Sequence, residues 1–307
     1  MLRKHRAEIF LFFGAITFAF NGVVAKIVLQ NGLDAFHMVE IRATGAFLVI
    51  FAAVFARNKR AIRVTRKELP GMIAFGLVGI AAVQFFYFIS IRLLDVSIGL
   101  LIEFTAPIWI ALWLRFVKKK HVSPLMWWGL AVSFSGMVLL AQVWKGLTLS
   151  GWGVIAALLD AFALAGYFLI GERIGKAKAS DVMLAWGLGV TTLLFSIIKP
   201  WWGFPYSIFT KSMALPGPLH GHNAPGWVLI LWVVLLGTVV PYFCVLTGLK
   251  GLNASTASVI GMLEPILAGI FAWWWINERL TAVQLMGAAV VLVGIYLADR
   301  AKSSLTN

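Results

Sequence analysis

Residues 94–140 read LDVSIGLLIEFTAPIWIALWLRFVKKKHVSPLMWWGLAVSFSGMVLL, and residues 252–298 read LNASTASVIGMLEPILAGIFAWWWINERLTAVQLMGAAVVLVGIYLA. Laid one over the other without a gap, Leu94 falls on Leu252, Ser97 on Ser255, Ile102 on Ile260, Pro107 on Pro265 and Ile108 on Ile266. Further on, Gly129 falls on Gly287, Val132 on Val290, Gly136 on Gly294 and Leu139 on Leu297. Each copy has a proline inside an apolar run and then a helix with glycines seven apart. A duplicated, helix-rich chain with matched helix breaks has the architecture of secondary transporters.

Composition sets the class. Of 307 residues, 61% are hydrophobic and only 12% charged, with a mean hydropathy of +0.91. A soluble domain is about a quarter charged. Apolar runs of about 20 residues, enough to cross a ~30 Å hydrocarbon core, recur along the chain. They predict ten spans at 8–29, 36–56, 70–90, 95–115, 124–143, 151–172, 181–201, 226–248, 252–275 and 280–298. Helices pair their backbone groups internally, as lipid demands, and the alternating pattern of a β-barrel is absent. The expected fold is therefore an all-α membrane protein. The first span carries Asn21 and Lys26 and lacks a small-residue cleavage site, so it reads as a span and not a cleaved leader. The only cysteine, Cys244, lies in the eighth span, which excludes an intramolecular disulfide.

The net charge of +14 is a topology signal rather than a nucleic-acid footprint. With the N-terminus inside, inner segments hold 19 Lys and Arg, outer segments hold five, and Lys26 and Arg42 lie within spans. Such an excess places both termini in the cytoplasm. The repeat shift spans five helices, an odd number, so the two copies sit inverted. The basic Lys118–Lys120 turn then lies inside, and its counterpart Ile276–Glu278 outside. The boundary falls near residues 144–150, giving five-helix repeats over 1–148 and 149–307. The stretch 202–225, with Pro205, Pro216, Pro218 and Pro225, reads as a non-helical outer loop.

Asn253–Asp299 closely resembles the repeat of the EamA-type transporters of the drug/metabolite transporter superfamily. The matching features are the small residues Ala254, Ser255 and Ala257, then Pro265, Glu278–Arg279, and Gly287 with Gly294. The first copy, Asp95–Gln142, keeps the proline and glycine landmarks but has Lys120 and His121 at the turn. The resemblance covers essentially the whole chain. It implies a bacterial inner-membrane carrier, often an exporter of amino acids or related metabolites. IEFTAPIWIALW in the first copy looks closest to the amino-acid exporters of that group.

Charges within spans are costly in hydrocarbon. They are Lys26, Glu40, Arg42, Glu103, Asp160 and Glu264. At about 1.5 Å per residue, Arg42, Glu103, Asp160 and Glu264 all fall roughly 9–14 Å from the outer face, on four different helices. Together they suggest a polar pocket in the outer half of the bundle. Arg42 offers a bidentate clamp for a substrate carboxylate. Glu103 or Glu264 would meet a substrate amine or carry a proton. Pairing among these charges, fixing only helix register, is the structural alternative. Lys26 lies near an outer end, where a lysine snorkels, or else joins the site. Asn21, His37, Gln84, Tyr87, Tyr167 and Tyr242 are candidate wall residues, Gln84 and Tyr242 being repeat equivalents.

Pro107 and Pro265 remove a backbone hydrogen bond each and read as hinges flanking a cavity, or as ordinary packing kinks. The glycine pairs mark close helix packing, as scaffold or dimer surface. Trp273–Trp275 reads as an aromatic belt, or as a constriction at an exit.

No zinc-protease, nucleophile-elbow or phosphate-loop motif is present, which argues against an intramembrane enzyme. No cofactor or metal is expected. The expected partners are a small-molecule substrate, protons in a coupled carrier, and the bilayer, with the chain a monomer or homodimer. Two choices stay open: coupled antiport against facilitated diffusion, and amino acids against drugs, nucleosides or sugars. A membrane sensor is the remote alternative.

Overall fold

The computed structural model describes residues 2–119, 123–142, 149–175, 178–249 and 263–303. α1 is Leu2–Gln30 and α2 is Ala35–Asn58, the latter capped by Asp34, whose carboxylate accepts from the His37 N–H. α3 runs Leu69–Leu93 and contains a π-helical stretch, Phe75–Ala82. α4 is Val96–Glu103, α5 Ala106–Phe116, α6 Pro124–Ala141, α7 Gly151–Gly175 and α8 Ser180–Ile198. After the short α9, Ser207–Thr210, α10 continues through Gly226–Val234, a π-helical Leu235–Val239 and Val240–Leu249. α11 is Leu263–Ile276 and α12 is Ala282–Ser303.

Among the described residues, six helices are long and apolar enough to cross a membrane: α1 from Glu8, α2, α3, α7, α8 and α10 to Val245. Four shorter apolar helices cover Val96–Ile110, Pro124–Leu140, Leu263–Ile276 and Ala282–Leu297. The chain is a largely helical membrane protein.

Two expectations need correction. The fourth span is not one helix. It stops at Glu103 and restarts at Ala106, with Phe104 and Thr105 turning at ψ 1° and 0°. Pro107 has no N–H to give the Glu103 carbonyl, and Thr105 Oγ1 donates instead to the Ile102 carbonyl at 2.6 Å. Pro265 lies in α11, near the start of that described segment. Its upstream stretch, with Ala254, Ser255 and Ala257, lies outside the described residues. The loop after α8 is also more ordered than expected. It holds α9 and an antiparallel ribbon, β1 Ser212–Ala214 with β2 Asn223–Pro225, so the fold is not purely helical. Met213 is fully buried beneath this loop, and the Lys211 ammonium donates to the Asn31 carbonyl at the end of α1.

α6 and α12, repeat equivalents, pack against each other along their glycines. A Cβ on Gly136 would lie 2.6 Å from the Val291 nitrogen, and one on Gly294 2.4 Å from the Ser133 nitrogen. The backbones themselves are in contact along this seam. α2 packs on α8, α3 on α7, and α1 on α10 and α11. At the other end, the loop between α2 and α3 is tied down. Lys178 reaches Glu68 and the Arg63 carbonyl, both at 3.2 Å, and Trp186 Nε1 donates to the Ile62 carbonyl at 2.9 Å.

Gly136→Val is expected to lower unfolding stability by roughly 1–3 kcal/mol, the range for forced overpacking. Gly151→Ala, with nothing within 4 Å, should leave the unfolding temperature unchanged. Thermal denaturation of the detergent-solubilised protein reads both. A second expectation concerns acid. The Thr65 N–H and hydroxyl, then Lys178, hold the Glu68 carboxyl below its ordinary range. A depressed carboxylate stabilises the fold above its unfolded pKa and loses that contribution as pH falls through the folded one. Hydrogen exchange at Thr65 should therefore stay slow through the usual Glu range and quicken only below it.

Candidate functional site

Arg42 is the centre of the site. It is buried on α2, and its guanidinium lies 5.3 Å from the Phe88 ring centroid on α3. Its Nε donates to Thr238 Oγ1 at 2.6 Å and its Nη2 to the Gly237 carbonyl at 2.9 Å. Both acceptors belong to the π-helical turn of α10. A wide turn there shifts the backbone pairing, and Thr238 Oγ1 in turn donates to the Val233 carbonyl, five residues back, at 2.9 Å. One edge of the guanidinium is thus bound to protein.

Acids surround this cation. Glu103 on α4 and Glu264 on α11 lie within its electrostatic reach, as do the hydroxyls of Tyr87 and Tyr242. Asp160 on α7 is fully buried beside Glu103. Neither Asp160 oxygen, nor Glu103 Oε2, has a hydrogen-bond donor among the described residues. The break that ends α4 follows directly on Glu103.

The wall residues sort by position. Asn21 on α1 presses its Oδ1 against Gly237, where a Cβ would come within 1.9 Å. Tyr87 turns its hydroxyl to Gly22 on α1, at 2.7 Å from the place of a Cβ. Gln84, one turn earlier, is buried with neither amide atom partnered among the described residues. Tyr242 packs edge-on to Phe18, their centroids 5.2 Å apart. Tyr167 packs against Phe75, their ring centroids 5.3 Å apart. His37 belongs to the start of α2, with Nδ1 2.9 Å from Asp34. Glu40, also on α2, is fully buried, with neither carboxylate oxygen partnered among the described residues.

Lys26 is corrected on one point: it does not snorkel. Its ammonium is buried, pairs with Glu278 in the turn after α11, and donates to the Leu94 carbonyl at 2.7 Å. The second Glu278 oxygen accepts from the Val96 N–H at 2.9 Å. Burial pushes the Glu278 carboxyl up against the pull of Lys26. The tryptophans divide as well. Trp273 and Trp274 are exposed, as a belt requires, while Trp275 is buried and stacks on Phe20 at 4.9 Å.

Thr238, Gly237 and Phe88 were not legible as site residues. The one signal was Thr238, a hydroxyl where the first copy has Ile80. Among the described residues no group of His, Cys, Asp and Glu is arranged to hold a metal.

The model of the EamA-like transporter family matches this chain twice, over residues 5–142 and 151–298. The chain belongs to that family. It is 26% identical to the uncharacterized transporter YdfC of Bacillus subtilis (strain 168), over 96% of this chain and 92% of that one. It is 25% identical to the threonine/homoserine exporter RhtA of Escherichia coli (strain K12), over 75% and 71%. A solved crystal structure, 17% identical, shares the fold with a TM-score of 0.61, covering 99% of this chain and 100% of that one.

Hydrogen bonds to a charged group are worth about 1.5–3 kcal/mol. Thr238→Val should lower the stability of this EamA-family protein by about that amount. Thr44→Val removes a buried hydroxyl that has no partner among the described residues and should be neutral or stabilising. Paired thermal melts check the contrast.

Proposed function

We propose that this EamA-family transporter exports amino acids or related amine-bearing metabolites across a bacterial inner membrane. The observation that carries this is the charge balance of the enclosed site. One guanidinium, with one edge already bound, faces three carboxyls. The adjoining segment 251–262 contains no ionisable residue. Uncompensated carboxylates are expensive at this depth, so the site is completed by protons, by a cationic substrate group, or by both. An amino acid fits that demand. Its carboxylate meets the other edge of Arg42, and its ammonium meets Glu264 or Glu103. The name of the relative RhtA supports amino acids as the class.

In this reading the ten apolar segments are ten spans, in two inverted five-helix repeats with both termini cytoplasmic. Pro107 and Pro265 are the hinges, and the paired glycines hold the scaffold on which the halves rock. The Glu103–Asp160 pair, adjacent and without donors among the described residues, favours coupled antiport over facilitated diffusion: two neighbouring carboxyls share a proton readily, and substrate displaces it.

The test is flux of a labelled amino-acid panel, including threonine and homoserine, into proteoliposomes with and without an imposed proton gradient. Saturable flux that follows the gradient is expected. Glu103→Gln and Glu264→Gln should abolish the pH-driven component while exchange persists, and unchanged pH dependence in both would sink coupling. Arg42→Lys should weaken binding of carboxylate substrates about tenfold, the equivalent of ~1.4 kcal/mol, and spare analogues without a carboxylate. Absence of amino-acid flux would move the substrate to drugs, nucleosides or sugars.

A further inference from the structure

We infer that Lys26 and Glu278 form the latch of the outer gate, and that their separation opens the route from the site to the outside. This rests on the transporter reading and goes beyond it, because neither residue touches the Arg42 cluster. The latch joins three chain segments at one end of the bundle. Lys26 comes from α1. Leu94 and Val96 form the turn between α3 and α4, and Glu278 follows α11. The ammonium meets the Glu278 carboxylate and the last carbonyl of the α3 segment, while the other carboxylate oxygen meets the first N–H of α4.

Three of the helices that meet at the latch also carry residues of the site. α3 carries Tyr87, α4 carries Glu103 and α11 carries Glu264. Behind the latch lies an aromatic layer. Phe20 on α1 stacks on Trp275 and meets Phe271 edge-on at 5.3 Å and Trp232 at 5.2 Å. The ribbon loop adds a cover: Gly217 packs on the carbonyl of Trp275, where a Cβ would come within 2.1 Å. With the latch formed, this end is shut.

Two features make it a latch and not a rivet. First, a buried ion pair contributes little net stability, since desolvation offsets the attraction. Each of its polar contacts can be exchanged for water once the end opens. Second, Glu278 sits in a tight turn between α11 and α12, beside Asn277 at φ +57°, and not within a helix. It can swing away without unwinding a span.

The experiment measures access from outside, independently of which substrate is carried. In a Cys244→Ser background, Ser97→Cys places one thiol on α4, one residue past Val96, buried and packed toward Gly269 of α11. Cells expressing this protein are treated with a charged, membrane-impermeant thiosulfonate. Labelling should be slow with the pair intact and with Lys26→Arg. It should be at least tenfold faster with Lys26→Met and with Glu278→Gln, in protein that elutes and melts as a folded species. Equal rates in all variants would overturn the proposal and leave the pair as a structural tie. In a second arm, Lys26→Cys with Glu278→Cys is joined by a short bifunctional thiosulfonate. Labelled-threonine flux should stop and return on reduction, and flux that survives the cross-link would also overturn it. A protein that moves no threonine at all defeats the substrate assignment only, and the labelling rates still decide the latch.

Discussion

The grip of Arg42 on α10 is the interaction on which the rest depends. A guanidinium within a membrane span is costly unless protein groups hold it, and a π turn must find partners for its displaced carbonyls. Each solves the other's problem: Arg42 donates to Gly237 and Thr238 where α10 widens. That fixes the cation against a rigid helix. The acids of α4 and α11 then lie near a charge whose place is already set, with Asp160 of α7 beside Glu103. Without the grip, Arg42 would pair with whichever carboxylate was nearest, and the interior would neutralise itself into an inert tie.

The two ends of the chain's architecture follow different physics. Along α6 and α12, contact is backbone on backbone, because glycines remove the side chains between them. Dispersion over a long, close seam suits a part that does not move. Around the site and the Lys26 pair, contact is made by polar atoms and aromatic edges, which can be exchanged one at a time. The same fold thus contains a seam packed backbone on backbone and a region held by polar and aromatic side chains.

Much of this was legible in the sequence because lipid leaves few options. Long apolar runs, in-span charges and spaced glycines each have few physical readings, and Arg42, Glu103, Asp160 and Glu264 do converge. What could not be read was pairing across distance. Lys26 and Glu278 are 252 positions apart, and a lysine near a helix end has an easier default in snorkelling. The break at Phe104–Thr105 was displaced from its cause, because Pro107 is tolerated in a first turn and expels the irregularity upstream. The role of Thr238 depended on a π turn, and π turns leave no strong mark in apolar composition. The ribbon between α8 and α10 was hidden by its prolines, which read as loop but here bound short strands.

The π-helical stretches have a consequence for how helices are held together. Phe75–Ala82 in α3 and Leu235–Val239 in α10 fall at matching positions under the shift that lays Leu94 on Leu252. Where a helix widens, its carbonyls are turned out of the regular ladder and can accept from a neighbour. On α10 the Gly237 carbonyl accepts from Arg42 of α2, while on α3 the Gly76 carbonyl accepts from Thr191 of α8. The same distortion thus serves as an ionic anchor in one helix and a packing contact in the other.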